Sequence, residues 1–200
     1  MLELLNRVLA SIFRRARHVV ILSQARKKSR DSILQRRGNN VLVLCYGNIY
    51  RSPLAKHLLK KSCPAETYHI RSAGFHKKEN RSCDPEYLKI LKERGYNLYD
   101  HKSKTVDLSD IAWANVILIM DRYNWDMLNA INSASIKKSV WIGALSKTKS
   151  VEVIDPYGKG LAVTGQVIRD IETCIDDICL AMTEINPRYD SDGSEDEMNR

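Results

Sequence analysis

The sequence predicts an α/β fold: a four-stranded parallel sheet flanked by helices on both faces, with a basic helical N-terminal extension. Three observations predict it. Apolar β-forming runs at 41–44, 67–71, 116–120 and 139–142 alternate with stretches of helical period near 53–62, 85–94, 122–131 and 163–184. Strands separated by helices pair in parallel, and such sheets are covered on both faces. The 200 residues, 44% apolar and 28% charged, suffice for one ordinary domain with a tail at each end. Charge marks those ends: the chain divides into a basic extension over 1–38, a domain over 39–187 and an acidic tail over 188–200.

Residues 1–38 hold ten Lys or Arg against Glu3 and Asp31, which accounts for the whole net charge of +8. The rest of the chain carries 22 basic and 22 acidic residues, so a nucleic-acid partner is not expected. Leu2, Leu5, Leu9, Ile12, Ala16 and Val19 recur at three- and four-residue spacing, with Arg7, Arg14, Arg15 and Arg17 beside them. A helix here carries an apolar stripe with three fates: packing on the domain or a second subunit, contact with an anionic membrane surface, or service as an organellar presequence. Glu3 and Arg7 interrupt the apolar core that a secretory signal requires. The longest apolar run, IAWANVILIM at 111–120, is interrupted by Asn115 and falls short of the roughly 18 residues that span a bilayer.

The first strand runs into VLVLCYGNIYRSP at 41–53. Gly47 permits a turn, Asn48 tolerates the left-handed conformation, and Ser52 followed by Pro53 reads as an N-cap and first helical position. The loop from Cys45 to Arg51 then turns backbone N–H groups inward at the positive end of a helix, making an anion site. Arg51 adds a planar fork that matches two phosphate oxygens. A helix N-terminus and a neighbouring guanidinium favour the thiolate, so Cys45 is expected to be a nucleophile aimed at phosphorus. A lone cysteine at a strand end is more often a small buried hydrophobe, and a bare cysteine-to-arginine spacing does not displace that reading. The longer string Cys45-x-Gly47-Asn48-Ile49-x-Arg51-Ser52-Pro53 does.

After the second strand, Asp84 and Pro85 precede a helical pattern, so Asp84 reads as its cap. Asp155-Pro156 is followed instead by Tyr157, Gly158, Lys159 and Gly160, a mobile loop, which favours a chemical role for Asp155. Displacing a phenolate is easier when an acid supplies its proton, and the same carboxyl then activates water. The last helix carries Val163, Val167, Ile168, Ile171, Ile175, Ile178 and Met182 on one stripe. Trp113, Trp125 and Trp141 read as core. His18, His57, His69 and His76 join no constellation. The tail RYDSDGSEDEMNR is acidic and poor in apolar side chains, and is expected to be disordered. The cysteines at 45, 63, 83, 174 and 179 show neither a Cys-x-x-Cys pair nor zinc-finger spacing, which points to reduced thiols in a cytoplasmic protein and to no metal.

Residues 41–59 resemble the signature of the low-molecular-weight protein tyrosine phosphatases, and the likeness runs over about residues 40–185. SAG at 72–74, GYNLYDHKSK at 95–104, VILIMD at 116–121 and DPYG at 155–158 follow that family's order. The resemblance implies protein tyrosine phosphatase activity on phosphotyrosine-containing proteins, without a cofactor. It implies that Cys45 forms a phosphocysteine, Arg51 binds the phosphoryl oxygens and Asp155 is general acid and base. Tyr46, Gly47, Asn48, Ile49, Tyr50 and Ser52 complete the phosphate loop, with Ser52 bonding the thiolate; Ser72 and His101 hold the loop asparagine. Tyr157 and Lys78 are expected at the substrate rim. The chain departs from the family at Tyr50, where many members carry a second, protective cysteine, at Lys78, where bacterial members often place a large apolar residue, and at Gly158, where a second tyrosine is common. Protein arginine phosphatases carry threonine at the position of Ile49, and isoleucine suits a flat apolar ring better. Arsenate reductases on this fold need two further cysteines, and Cys83 is isolated. A non-catalytic phosphopeptide-binding module would not need Cys45, Arg51 and Asp155 together.

Overall fold

The computed structural model describes residues 2–147 and 150–184; within the first helix the side chains of residues 2–11, 13, 14 and 17 are outside the description. The expected acidic tail at 188–200 lies outside the described residues. Four strands, β1 (Asn40–Cys45), β2 (His69–Gly74), β3 (Val116–Ile119) and β4 (Ser139–Trp141), form one parallel sheet in the order β2-β1-β3-β4. Six helices accompany them: α1 (Leu2–Leu34), α2 (Arg51–Ser62), α3 (Pro85–Glu93), α4 (Leu108–Trp113), α5 (Arg122–Ile131) and α6 (Gly160–Glu184).

The strand period of two sorts each apolar run onto the two faces of the sheet. Val41, Val43 and Cys45 face one core with Leu54, Leu59, Leu91 and the α6 stripe of Val167, Ile168, Ile171, Ile175, Ile178 and Met182. Leu42, Leu44, Ile117 and Ile119 face the other core with Ile111, Leu128 and Ala25 of α1. Burial on both sides is why the strands read as continuous apolar runs. Of the tryptophans, Trp141 is core; Trp113 and Trp125 are half-buried, with Arg71 and Arg122 over their faces at 4.0 Å and 5.3 Å.

Three elements differ from expectation. The second strand lies at 69–74 rather than 67–71, because residues 64–68 form a turn closed by Thr67 N–H and Tyr68 N–H on the Pro64 carbonyl. Helix α4 was hidden by its six residues, too few to show a period, although its capping box of Asp107 and Asp110 is complete. A 3-10 helix at Ser133–Lys138 was hidden for the same reason.

The lower half of α1 is part of the domain. β4 ends the sheet, and an edge strand leaves backbone groups unpaired. Ser29 Oγ accepts from Trp141 N–H at 3.0 Å, Ser32 Oγ donates to the Ser139 and Lys137 carbonyls, and Arg26 Nη1 donates to the Ala144 and Ser146 carbonyls at 3.1 Å and 2.7 Å. At its end Arg36 Nη2 donates to the Met182 carbonyl at 2.6 Å, a cation on the last turn of α6.

Candidate active site

The loop between β1 and α2 is shaped by what its carbonyls bind. The Tyr46 carbonyl accepts from Phe75 N–H and His76 N–H, Gly47 from Arg81 Nη2 at 2.6 Å, Asn48 from His101 Nε2 at 2.8 Å, and Tyr50 from the Tyr87 hydroxyl at 3.0 Å. In a trans peptide the N–H points opposite to the carbonyl, so outward carbonyls turn the amides of residues 47, 48, 49 and 51 inward. Asn48 makes the reversal at φ 51°, as its residue type allows. Gly47 does not take a positive φ. The glycine the loop needs is Gly74 of β2, where a Cβ would meet Tyr46 O at 2.7 Å and Asn48 N at 2.9 Å.

Asn48 is fully buried and ties the loop to its surroundings. Its Nδ2 donates to Ser52 Oγ at 2.8 Å and Ser72 Oγ at 3.1 Å, and its Oδ1 accepts from Lys104 N–H at 3.0 Å. A carbonyl only accepts, so His101 carries its hydrogen on Nε2. Burial pushes the His101 pKa below its ordinary value; the bond to Asn48 opposes that, and Lys56 and Lys102 reinforce it.

Ser52 does not cap α2. The helix begins at Arg51 with Tyr50 at the N-cap and no side-chain cap bond. The Ser52 hydroxyl instead turns inward and lies 3.0 Å from Cys45 Sγ, which also accepts from Asn48 N–H at 3.2 Å. A cap serine bonds its own helix's amides; here the thiol and Asn48 compete successfully for the hydroxyl.

Arg51 sits beside Cys45, only 1% exposed. Nη1 donates to Asp121 Oδ2 at 2.5 Å and to the Val153 carbonyl at 2.9 Å, while Nη2 lies 2.8 Å from Asp155 Oδ2. Its Nε is buried without a hydrogen-bond partner. Burial works against the charge, but Cys45, Asp121 and Asp155 outweigh it and hold the guanidinium pKa above its ordinary value.

Above Cys45 opens a cleft of about 200 Å³ lined by Cys45, Tyr46, Gly47, Ile49, Tyr50, His76, Arg81, Asp155 and Tyr157. The cleft thus gathers distant segments: Asp155 and Tyr157 from the loop before α6 stand over the β1–α2 loop. Tyr50 packs against Tyr87 with ring centroids 4.8 Å apart and against Tyr157 at 6.4 Å; burial first and Asp84 second push its hydroxyl up to about 12. Lys78 is exposed and is not among the lining residues. The expected rim position is taken by His76 and Arg81, because the segment after β2 turns back with Arg81 Nε on the Lys78 carbonyl at 3.0 Å. His76 and Tyr123 each meet the Tyr46 ring edge-on at 5.5 Å.

Sequence reasoning assigned nothing to Asp121, His76 or Arg81. Asp121 ends the VILIMD run, a carboxylate at the C-terminal end of a parallel strand where ligands bind in such sheets, and that position was the available signal. His76 and Arg81 gave none, since their place depends on the path of an irregular segment.

The sequence profile of the family described as low molecular weight phosphotyrosine protein phosphatase matches residues 40–187. The chain is 27% identical over 136 residues to the probable low molecular weight protein-tyrosine-phosphatase EpsP of Ralstonia nicotianae, covering 68% of this chain and 90% of the relative. A solved protein tyrosine phosphatase from Entamoeba histolytica superposes with a TM-score of 0.67 at 29% identity, covering 73% of this chain and 97% of that one. The YwlE arginine phosphatase from Geobacillus stearothermophilus superposes with a TM-score of 0.66 at 26% identity, covering 73% and 94%.

Proposed function

The chain belongs to the low molecular weight phosphotyrosine protein phosphatase family, and from that premise we propose that it hydrolyses phosphotyrosine on protein substrates through a phosphocysteine on Cys45. The observation that carries the reading is the setting of Cys45 Sγ: it lies 3.0 Å from Ser52 Oγ and 3.2 Å from Asn48 N, at the floor of a ring of inward amides, beside Arg51. A tetrahedral phosphoryl group in that ring meets the loop amides and the unpaired Nε of Arg51.

In the first step Sγ attacks phosphorus, the bond from phosphorus to the phenolic oxygen breaks, and Asp155 supplies the proton that the leaving oxygen takes. In the second step water attacks the phosphocysteine, gives its proton to Asp155, and the sulfur leaves as thiolate. Before substrate arrives Asp155 is a carboxylate paired with Nη2 of Arg51; the phosphoryl group takes over that face of the guanidinium, and the freed carboxylate takes the proton that the Cys45 thiol loses and passes it to the leaving oxygen. Ser52 donates to the sulfur whenever it carries charge. Ser72 and His101 are positioning residues that hold Asn48, and Tyr46, Gly47, Ile49, Tyr50 and Tyr157 line the cleft. The catalytic unit, taken as 39–187, is completed at its β4 edge by the lower half of α1. Five buried free thiols support a reducing, cytoplasmic setting.

The likeness to an arginine phosphatase raises a second reading. Ile49 and the ring faces of Tyr50 and Tyr157 favour an aryl over a guanidino leaving group. Turnover of matched phosphotyrosine, phosphoarginine and phosphoserine peptides by the wild type and Cys45→Ser tests the choice. Phosphotyrosine is expected to be preferred and its turnover lost in the variant; preference for phosphoarginine overturns the assignment.

A further inference from the structure

Helix α1 carries more than the cover it gives to β4. Its contacts climb the sheet towards the catalytic end: Ser32 meets the start of β4 at Ser139, Ser29 its end at Trp141, Arg26 the loop beyond at Ala144 and Ser146, and His18 lies 3.6 Å from Glu152, three residues before Asp155. The helix then continues for residues 2–17, about 24 Å at 1.5 Å per residue.

The face that packs on the domain and the apolar stripe are different faces. Leu22, Ala25, Ser29, Ser32 and Ile33 turn towards the sheet. At 100° per residue the described stripe residues Ile12, Ala16 and Val19 fall away from that face. They are uncovered: Ile12 is 56% and Val19 65% exposed, and Val20 beside them 55%. The same three- and four-residue spacing carries that line on through Ser23, Lys27 and Arg30, all exposed. The helix therefore presents an outward line, apolar at Ile12, Ala16 and Val19 and basic at Lys27 and Arg30, where Lys27 also pairs with Asp31 at 3.2 Å, with Arg15 exposed alongside.

We propose that this outward face of α1 lies on an anionic lipid surface, the apolar half in the headgroup boundary and Lys27 and Arg30 over the lipid charges. The charge distribution selects this occupant. A second copy docked in parallel would bring one basic stretch against another, and one docked antiparallel would set each basic stretch on an apolar one, whereas anionic headgroups satisfy Lys27 and Arg30 and the headgroup boundary accepts the apolar residues. Resting on the phosphatase reading, the geometry also names a substrate class. The domain then stands on its β4 edge, a placement that favours phosphotyrosines in membrane-proximal segments of membrane proteins.

Sedimentation of the full-length protein with vesicles tests the proposal independently of activity. Vesicles of phosphatidylcholine with phosphatidylserine are expected to carry the protein down, pure phosphatidylcholine vesicles to leave it in solution, and raised salt to release it. Lys27→Glu with Arg30→Glu is expected to weaken partitioning by more than about tenfold, and Ile12→Asp with Val19→Asp to weaken it independently. All four positions are exposed, so the variants keep wild-type circular dichroism and turnover of small aryl phosphates. Equal partitioning to neutral and anionic vesicles, or none to either, overturns the proposal. So does a stable dimer on gel filtration that Ile12→Asp with Val19→Asp converts to monomer, since that result assigns the stripe to a second copy.

Discussion

Arg51 and Asp121 form an ion pair at the base of the cleft, Nη1 to Oδ2 at 2.5 Å, with the guanidinium 1% exposed and the carboxylate 19% exposed. Asp121 also accepts from Asn124 N–H at 2.8 Å, so the residue that caps α5 aims the arginine. Asp121→Asn keeps the cap and removes the charge, because asparagine caps as well as aspartate. The expected result is a loss of about 100-fold in kcat/KM, of similar size for activated and unactivated aryl phosphates, since a misaimed Arg51 weakens every phosphoryl transfer. Steady-state kinetics on a leaving-group series checks it.

Asp155 behaves differently in the same series. Asp155→Asn is expected to slow substrates with poor leaving groups by about 10²–10⁴-fold more than activated aryl phosphates, which need no proton. Equal losses on both would remove the general-acid role.

The loop rests on Asn48, whose removal strands two half-buried groups. Asn48→Ala leaves Lys104 N–H and the Ser72 hydroxyl short of a partner, and places a residue with a Cβ but no polar side chain at φ 51°. A loss of about 2–4 kcal/mol is expected in urea unfolding. Asn48→Gly, which relieves the backbone but not the polar groups, is expected to recover only part of it.

His101 makes stability depend on pH. Burial holds its folded pKa below the ordinary 6.5, and His57 is lowered in the same way by burial and by Lys61 and Lys56. The unfolded chain therefore binds these protons more readily than the folded one. The contribution of these two histidines is flat above neutrality and is lost as pH drops through 6.5 towards the folded values. His101→Gln is expected to flatten this fall without abolishing it, because His57 remains; unfolding midpoints between pH 8 and pH 5 on the order of one unit apart resolve the slope.

Tyr50 leaves Cys45 without an adjacent thiol. Burial first and Cys45 second push the Cys83 thiol up to about 12, which keeps it protonated and a poor resolving nucleophile. Cys63 follows the far end of α2, about 17 Å along the helix from Arg51, and bonds the thiol of Cys179. Mild peroxide is expected to take Cys45 to sulfinic acid with no disulfide to Cys63 or Cys83, read by mass spectrometry. An abundant Cys45–Cys83 disulfide would contradict this.

The sequence by itself determined the order of the four strands and the long helices, the strand-to-helix turn from Cys45 to Arg51, the cap at Asp84, whose Oδ1 accepts from Tyr87 N–H at 3.1 Å, and the buried stripe of α6. Each of these is written within a few residues: a period, a turn residue, a cap. The tertiary structure decided that Ser52 serves the thiol and not its helix, that Asp121 aims Arg51 from 70 residues away, and that His76 and Arg81 hold the wall expected of Lys78. It also decided that α1 splits its work, closing the β4 edge with Ser29 and Ser32 while Ile12 and Val19 stay exposed. Those relations depend on the strand order β2-β1-β3-β4, which brings the ends of β1 and β3 together and leaves β4 at the edge for α1 to cover. Local periodicity fixes which side chains point inward, but only the crossovers between strands fix which of them meet.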